Sequence, residues 1–211
     1  MKLDKTIFYD IDTQRDFIAP DGKCRIVGAE GIVPKLKELT DLARDQNAQI
    51  VCSVDRHVVG DPMLKSWGGQ YPDHCMAGTP GEQKIDETMP LNPLLLENKE
   101  YTSEEIHQVL EHKGEIVFQR QEFERLADSA HLRAILRLVL QPFEDIVIYG
   151  VYVEQCADRE VTALLGLGPK LHVVKDAVVC RGIHPASFFK KWQQAGVELI
   201  TFDELKLQVL N

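Results

Sequence analysis

The strongest constraint on the fold of this chain is an alternation of short apolar runs with helical patterns along its length. The clearest unit begins at residues 146–149, an apolar, β-branched-rich run that is typical of a strand buried on both faces. Gly150 ends this run, and Val161, Leu164 and Leu165 then recur at helical spacing. Repeated strand–helix units predict a parallel sheet that is covered by helices on both faces.

The same alternation predicts the other elements. Further strands are predicted at residues 7–11, 50–54, 116–118, 171–174 and 197–201, with a polar exit at 119–123. Helices are predicted at 32–42, 104–112, 126–140 and 185–195, and one more begins close to Glu154 or Gln155. Residues 58–102 are predicted to form a long loop with an ordered segment at 71–81. The sequence therefore predicts an α/β fold with a mostly parallel sheet of about six strands.

Composition and charge restrict the possible partners. With 44% hydrophobic residues, a chain of 211 residues can bury one sizeable core, and a single domain over residues 1–211 is expected. The formal charge of −9 argues against nucleic-acid and anionic-membrane partners, because both need a basic face. No membrane-length apolar run or signal-peptide pattern is found, so we expect a cytoplasmic protein that binds a small molecule.

One cysteine is distinguished by its position. The five cysteines are scattered and contain no CxxC pair, which favours reduced thiols over a disulfide framework. A helix that begins near Glu154 puts Cys156 in its first turn, where free N–H groups and the helix dipole favour the thiolate. The alternative is that Cys156 only packs in the core, as free cysteines often do.

Charged side chains follow the predicted strands. Asp12, Asp55 with His57, Arg120 and Cys156 lie at four strand exits, which share one edge in a parallel sheet. An aspartate beside a cysteine can take the thiol proton and return it to a leaving group, while a nearby cation steadies negative charge. For each aspartate the alternative is a solvated loop residue.

A second grouping suits a metal ion. Asp55 and His57 lie on one side of an extended segment, and His74 can approach from the long loop. One carboxylate and two imidazoles suit zinc, iron or manganese, although all three side chains could instead be solvated. The motifs GxSxG, GxGxxG and GxxxxGKS/T are absent, so α/β-hydrolase, dinucleotide-binding and P-loop mechanisms lack their essential parts.

Four blocks, which lie in order along almost the whole chain, resemble a known family. They are Asp12-x-Gln14-x-Asp16-Phe17, Asp55-x-His57, Pro72-x-His74-Cys75-x-x-Gly78-Thr79-x-Gly81, and Gly150 through Glu154-x-Cys156. Together they resemble the isochorismatase-like cysteine hydrolases, and most closely the nicotinamidase/pyrazinamidase type. The combination is far more specific than any one block.

This resemblance implies a three-layer α/β/α fold and a catalytic triad of cysteine, aspartate and a cation. Cys156 would be the nucleophile and Asp12 its general base and acid, with Arg120 in the place of the family's lysine. A cis peptide would precede Tyr152, and the N–H groups of Tyr152 and Cys156 would form the oxyanion hole.

The resemblance also implies a cofactor, a pocket and an assembly. The ligands of a divalent metal, expected to be zinc with iron or manganese as alternatives, are matched by Asp55, His57 and His74. That metal would hold the pyridine nitrogen of nicotinamide. Phe17 matches an aromatic wall of the pocket, which Gln14 and Tyr71 are also expected to line. A homo-oligomer, either dimer or tetramer, is implied as well.

Two departures from the family pattern bear on function. Arg120 keeps the positive charge of the lysine but cannot give up its proton, and its fork is planar. If the lysine acts only through its charge, activity survives; if it shuttles a proton, Arg120 indicates a different substrate or an inactive relative. The second departure is the segment 58–65, which has no histidine where some nicotinamidases supply another ligand, so Asp61 or water could fill that place.

Three functions are therefore compared. The first is deamidation of a small carboxamide by a cysteine amidohydrolase, through a thioester at Cys156 and with a bound metal. The second is a metal-free family hydrolase that acts on another amide, a carbamoyl compound or an ether. The third is a catalytically silent relative that binds a small ligand. The metal-type grouping at Asp55 argues against the second, and the intact Asp12 and Cys156 argue against the third.

Overall fold

A seven-stranded sheet forms the centre of the molecule, in a computed structural model that describes residues 1–120, 129–182 and 185–210. Its strands follow the order β3-β4-β2-β1-β5-β6-β7, and every neighbouring pair is parallel. The strands are β1 (Thr6–Ile11), β2 (Gln49–Asp55), β3 (Leu94–Leu96), β4 (Ile116–Arg120), β5 (Asp145–Val151), β6 (Lys170–Val179) and β7 (Glu198–Ile200).

Helices cover both faces of the sheet. They are α1 (Arg15–Ile18), α2 (Val33–Asp45), α3 (Ser103–Glu111), α4 (Ala130–Leu140), α5 (Asp158–Leu164), α6 (Ala186–Gln194) and α7 (Phe202–Leu210). One π-helical turn, Val153–Ala157, joins β5 to α5. Among the helices of the described residues, none is long and apolar enough to cross a membrane.

Two apolar cores lie between the sheet and its helices, because side chains of a strand alternate between the two faces. Tyr9 and Ile148 pack into the core that contains Leu136 of α4 and Val161 of α5. Their neighbours along the strands, such as Phe8 and Val147, belong to the opposite core with Leu36 and Leu39 of α2 and Leu205 of α7. The predicted α/β/α architecture is thus confirmed.

The sheet has one strand more than the sequence indicated. The additional strand β3 lies inside the stretch that was predicted to be a loop from 58 to 102, and among the described strands it pairs with β4 alone, at one end of the strand order. Its three leucines are too few for a clear pattern, and leucine is not β-branched. Leu95 is 53% exposed, as the side chain of an edge strand can be.

Helix predictions agree with the structure except at the chain's short or terminal elements. The helix predicted at 126–140 begins at Ala130, where the Ser129 hydroxyl accepts a hydrogen bond from the N–H of Leu132 at 3.1 Å. Residues 121–128 lie outside the described residues, and with them part of this helix prediction and most of the polar exit at 119–123. Helices α1 and α7 were not predicted, the first because four residues show no period.

Candidate active site

Four neighbouring strands bring their carboxyl ends together at the centre of the sheet. Asp12 directly follows β1, Asp55 ends β2, Arg120 ends β4 and Cys156 lies beyond β5. Asp55 and Arg120 are paired in the β2–β4 register, so their side chains start side by side. One ligand atom each of Asp12, Asp55 and Cys156 lie within 4.8 Å of one another. The strand exits therefore meet in one buried cluster.

Asp12 is the hub of this cluster. Its carboxylate accepts a hydrogen bond from Arg120 Nη2 and lies within 4.8 Å of the Cys156 sulfur. The hydroxyl of Ser53 donates to Asp12 Oδ1 at 2.8 Å. Arg120 Nη2 also donates to Asp55 Oδ1 at 2.7 Å, so one guanidinium nitrogen bridges two carboxylates. The three groups of the predicted triad are therefore in contact through Asp12.

Electrostatics keep the Cys156 thiol protonated before a substrate arrives. Burial, and then the negative charge of Asp12, raise the pKa of the Cys156 thiol well above its usual range, although Arg120 opposes this shift. Burial also raises the pKa of Asp12, against the influence of Arg120. This direction is opposite to the thiolate preference inferred from the helix start alone, because burial beside a carboxylate outweighs the helix dipole.

Close backbone packing brings the end of β1, directly before Asp12, against β5. Asp12 has φ of 50°, a left-handed conformation that is uncommon outside glycine. Gly150 of β5 pairs with Ile11 and has φ of 119°, and a Cβ there would lie 2.1 Å from the carbonyl oxygen of Ile11. Only glycine therefore allows β5 to pass β1 at this point.

A cis peptide bond joins Val151 to Tyr152, as the family resemblance implies. The carbonyl oxygen of Tyr152 accepts hydrogen bonds from the N–H groups of Gln155 at 3.2 Å and Ala157 at 3.1 Å. These bonds turn the chain into the π-helical turn that carries Cys156. Cys156 and the N–H of Tyr152 thus belong to one short segment between β5 and α5.

A second cluster lies beside the first and shares Asp55 with it. One ligand atom each of Asp55, His57 and His74 lie within 4.8 Å of one another. The two imidazole rings are 4.6 Å apart between centroids, and both residues are buried. Burial, as the largest cause, lowers the pKa of His74, which favours the neutral imidazole that binds metals.

The hydrogen bonds of these histidines leave one nitrogen of each available. His74 Nδ1 donates to the carbonyl oxygen of Pro72 at 2.7 Å, so Nε2 keeps its lone pair. His57 Nδ1 lies 2.6 Å from Asp61 Oδ2, while its buried Nε2 has no hydrogen-bond partner in the described parts of the chain. A carboxylate and two imidazole nitrogens that converge in this way fit a divalent metal ion.

The sequence left open whether Asp61 acts as a further ligand. Asp61 is almost fully buried behind His57, and its second oxygen accepts the N–H of Met63 at 2.8 Å. Both carboxylate oxygens are therefore occupied away from the convergence point. Asp61 orients the His57 ring in the manner of the carboxylates that support metal-binding histidines.

The segment that carries His74 is fastened to α1 by Asp16. The Asp16 carboxylate accepts the N–H groups of Cys75 at 2.7 Å and Lys23 at 3.1 Å. A Cβ at Gly81 would lie 2.1 Å from Asp16 Oδ2, so glycine at this position leaves room for that carboxylate. This contact explains how the motif at residues 72–81 holds His74 in the second cluster.

Two of the three predicted pocket residues place aromatic rings next to the second cluster. The ring centroids of Phe17 and His74 are 5.4 Å apart in an edge-on arrangement, and those of Tyr71 and His74 are 6.1 Å apart. Gln14 is placed differently, since its fully buried amide donates to the carbonyl oxygens of Asp55 and Glu82, both at 2.7 Å. Its oxygen accepts the Asp55 N–H at 2.7 Å, so Gln14 supports the backbone of Asp55.

Sequence reasoning missed a buried carboxylate behind the first cluster. Glu160 of α5 is fully buried, with Oε1 3.3 Å from Arg120 Nη1 and Oε2 accepting the hydroxyl of Tyr9 at 3.1 Å. Burial raises the pKa of Glu160 to about 7. The available signal was a charged residue next to Val161 on the apolar face of a helix, four positions after Cys156.

The fold belongs to a known protein family. The model of the isochorismatase domain family matches residues 7–204. The chain belongs to the isochorismatase family. Its fold and its predicted family resemblance are thereby confirmed, and it is a member of a family of hydrolases. No curated protein sequence matches the chain significantly.

Solved structures of several amidases share this isochorismatase fold. A zinc-bound pyrazinamidase from Pyrococcus horikoshii is 20% identical with a TM-score of 0.72, and the match covers 94% of this chain and 99% of that one. A yeast nicotinamidase bound to nicotinaldehyde is 17% identical with a TM-score of 0.70, covering 93% and 99%. An N-carbamoylsarcosine amidase from Thermoplasma acidophilum is 19% identical with a TM-score of 0.70, covering 95% and 98%. At these identities the likeness establishes the shared fold.

Proposed function

We propose that this isochorismatase-family protein hydrolyses a small carboxamide to the carboxylic acid and ammonia, with Cys156 as the nucleophile. The observation that carries the proposal is the approach of the Cys156 sulfur to the Asp12 carboxylate, within 4.8 Å, with Arg120 holding that carboxylate. A thiol beside a base, and a base oriented by a third group, is the arrangement that covalent catalysis requires.

The chemistry begins at the thiol. Asp12 takes the proton from Cys156 as the sulfur attacks the carbonyl carbon of the amide, which forms the C–S bond and a tetrahedral oxyanion. The N–H groups of Tyr152 and Cys156 are proposed to donate to that oxyanion, and such a donor contributes roughly 10²- to 10³-fold in rate. Asp12 then returns its proton to the departing nitrogen, the C–N bond breaks, and ammonia leaves a thioester.

Hydrolysis of the thioester reverses the proton path. Asp12, ionised again, removes a proton from a water molecule that attacks the thioester carbonyl. The C–S bond breaks, and the sulfur takes the proton back from Asp12 while the carboxylic acid is released. Protonation of Cys156 before turnover, as its raised pKa indicates, supplies the proton that ammonia needs.

Arg120 acts in this scheme only through its charge and its hydrogen bonds. Burial alone would lower the pKa of Arg120, but Asp12 and Asp55 hold it well above the usual range. Its guanidinium therefore stays protonated throughout. Arg120 keeps Asp12 oriented and stabilises the negative charge that passes between sulfur, carboxylate and oxyanion.

Asp55, His57 and His74 would hold a divalent metal, for which zinc is the first candidate. Bound there, the metal would supply a Lewis acid that binds a ring nitrogen of the substrate and orients its carboxamide. The supporting observations are the free Nε2 of His57 and the aromatic rings of Phe17 and Tyr71 beside His74. A flat heteroaromatic carboxamide such as nicotinamide fits these surroundings.

A second candidate is hydrolysis of a carbamoyl compound. It is favoured by the similarity to the N-carbamoylsarcosine amidase fold, and Cys156 and Asp12 would serve the same steps. Because the two substrates differ in their need for a metal, the effect of a chelator on activity separates them.

The family resemblance also leads us to propose a homo-oligomer, which sedimentation velocity measures.

The decisive experiment is ammonia release from nicotinamide, pyrazinamide and an N-carbamoyl amino acid by the purified protein, with bound metal measured in parallel. Activity is expected with the heteroaromatic amides, and it should disappear in Cys156→Ala. Cys52→Ala is the matched control, because Cys52 is another free, buried cysteine and lies within β2, away from the strand ends that meet at the site. Absence of ammonia release from every amide by the zinc-loaded protein would contradict the proposal.

A further inference from the structure

The proposed reaction leaves one buried carboxylate at the site unexplained. Glu160 and Tyr9 are both fully buried, and neither takes part in the catalytic steps. Glu160 Oε1 accepts a hydrogen bond from Arg120 Nη1 at 3.3 Å, and Tyr9 donates to the other oxygen at 3.1 Å. A buried carboxylate is costly unless it is paired, so this pairing needs a reason.

The reason lies in the shape of the guanidinium. Arg120 Nη2 bridges Asp12 and Asp55, while Nη1 points to Glu160. Because the guanidinium is planar, fixing Nη1 also fixes the direction of Nη2. A lysine, which the family resemblance leads one to expect here, has a single ammonium nitrogen and cannot serve both sides in this way.

Glu160 and Tyr9 lie on the chain segments that carry the catalytic groups. Glu160 lies four residues after Cys156, across the junction of the π-helical turn with α5. Tyr9 lies in β1, three residues before Asp12. Glu160 therefore connects the position of Arg120 to the segment that carries the nucleophile, and Tyr9 connects it to the strand that precedes the base.

We infer that Glu160, held by Tyr9, is a positioning residue matched to Arg120: it engages Nη1 so that Nη2 bridges Asp12 and Asp55. This inference deepens the proposed function and rests on it. It implies that arginine at 120 and glutamate at 160 work as a pair. In Arg120→Lys alone, Glu160 would compete with Asp12 for the single ammonium group.

A double-mutant cycle tests the pair, with Arg120→Lys, Glu160→Gln and the double variant measured at pH 7.5. The readouts are the rate of Cys156 alkylation by iodoacetamide, located by peptide mass spectrometry, and kcat and KM for the hydrolysed amide. Arg120→Lys should lower the alkylation rate and kcat by about 100-fold, and Glu160→Gln by about threefold. The double variant should recover about tenfold over Arg120→Lys, since coupled neighbours are not additive. KM should change by less than about threefold.

Glu115→Gln is the matched control. Glu115 is a buried carboxylate that pairs with Arg44 at 2.8 Å before the amino end of β4, whereas Arg120 lies at the carboxyl end of the same strand. The same chemical change there should leave alkylation and kcat unaltered. Tyr9→Phe offers a second variant if Arg120→Lys folds poorly, and it should lower kcat in the same direction as Glu160→Gln. Thermal unfolding of each variant identifies effects that come from loss of structure.

The outcomes separate the inference from the proposed function. A double variant that is no faster than Arg120→Lys, or a Glu160→Gln variant with wild-type alkylation and kcat, overturns the pairing. Recovery of Cys156 alkylation in the double variant supports the pairing even if no amide is hydrolysed, because alkylation needs no turnover. Amide hydrolysis without recovery supports the proposed function and overturns the pairing.

Discussion

Each end of the sheet buries a histidine against an aspartate, yet the two histidines are prepared for different tasks. At the amino ends of the strands, His172 of β6 lies with Nε2 2.6 Å from Asp145 Oδ1. Its other nitrogen, Nδ1, is 3.2 Å from Glu198 Oε2 but makes no hydrogen bond within the described residues. Carboxylates of β5 and β7 thus flank both sides of the His172 ring in β6.

At the carboxyl ends, only one side of the His57 ring is held in that way. Its Nδ1 lies 2.6 Å from Asp61, but its Nε2 is 3.9 Å from Asp55 Oδ2, and the ring centroid of His74 is 4.6 Å from that of His57. One ligand atom each of Asp55, His57 and His74 lie within 4.8 Å of one another, whereas the second nitrogen of His172 lies beside the Glu198 carboxylate. Burial and an aspartate partner therefore do not distinguish a metal ligand from a structural histidine; the convergence of further ligand atoms does.

The arginines of the two ends show the same contrast. In the parts of the chain that the structure describes, Arg44 pairs with one carboxyl group, that of Glu115, at 2.8 Å. Arg120 pairs with three, Asp12, Asp55 and Glu160, and they lie at the edge where the candidate ligands meet. One guanidinium thus faces three carboxyl groups at the carboxyl end and one at the amino end. A divalent cation bound at the carboxyl end would add positive charge beside these groups.

The largest difference in kcat is expected between two variants in which an aspartate at one end or the other is changed to asparagine. Asp12→Asn removes the proposed base and should lower kcat by about 10³-fold. Asp145→Asn, at the other end, changes the partner of His172 and should leave kcat within about twofold. Ammonia release under substrate saturation measures both variants. A similar loss of kcat in both would show that the contrast between the ends is not functional.

The pH dependence of the free energy of unfolding should show the second-largest difference between the two ends of the sheet. The pKa of Glu160 is raised from 4.5 to about 7 by burial, so the folded protein keeps this proton where the unfolded chain releases it. As pH rises through this window, the free energy of unfolding should fall by about 3 kcal/mol more in the metal-free wild type than in Glu160→Gln.

Denaturant unfolding of the metal-free protein at several pH values provides this measurement. Glu115→Gln serves as the control, because it changes a buried carboxylate at the amino end. Its stability should follow the wild-type pH curve through the same window. Identical curves for wild type and Glu160→Gln would mean that Glu160 ionises normally in the folded protein.

Metal affinity should show the smallest of the three effects. Asp61→Asn weakens the support of His57 and should lower zinc affinity by about 10- to 100-fold, as for other carboxylates behind metal-binding histidines. The same change beside His172, Asp145→Asn, should leave zinc affinity unaltered. Competition with a chromogenic chelator measures both. Equal affinities in all three proteins would place the metal elsewhere.

Much of the fold and of the candidate site could be predicted from short stretches of the sequence. Apolar runs such as residues 146–149 indicate buried strands, and the rule that ligands bind at the carboxyl ends of parallel strands groups Asp12, Asp55, Arg120 and Cys156. The structure places these residues together. The strand β3 escaped prediction because three leucines at a sheet edge carry almost no periodic signal.

Short stretches of sequence are enough to predict the strand–helix alternation, the residues at the strand exits and the family blocks. The electrostatics of the site depend on the folded chain: burial raises the pKa of Cys156 beside Asp12, Asp61 supports His57, and Glu160 pairs with Arg120. These features differ because pattern and turn chemistry act between neighbours in the chain, whereas desolvation and hydrogen bonding depend on groups that are distant in sequence. Arg120 and Glu160 are 40 residues apart and meet only once the sheet and α5 have packed.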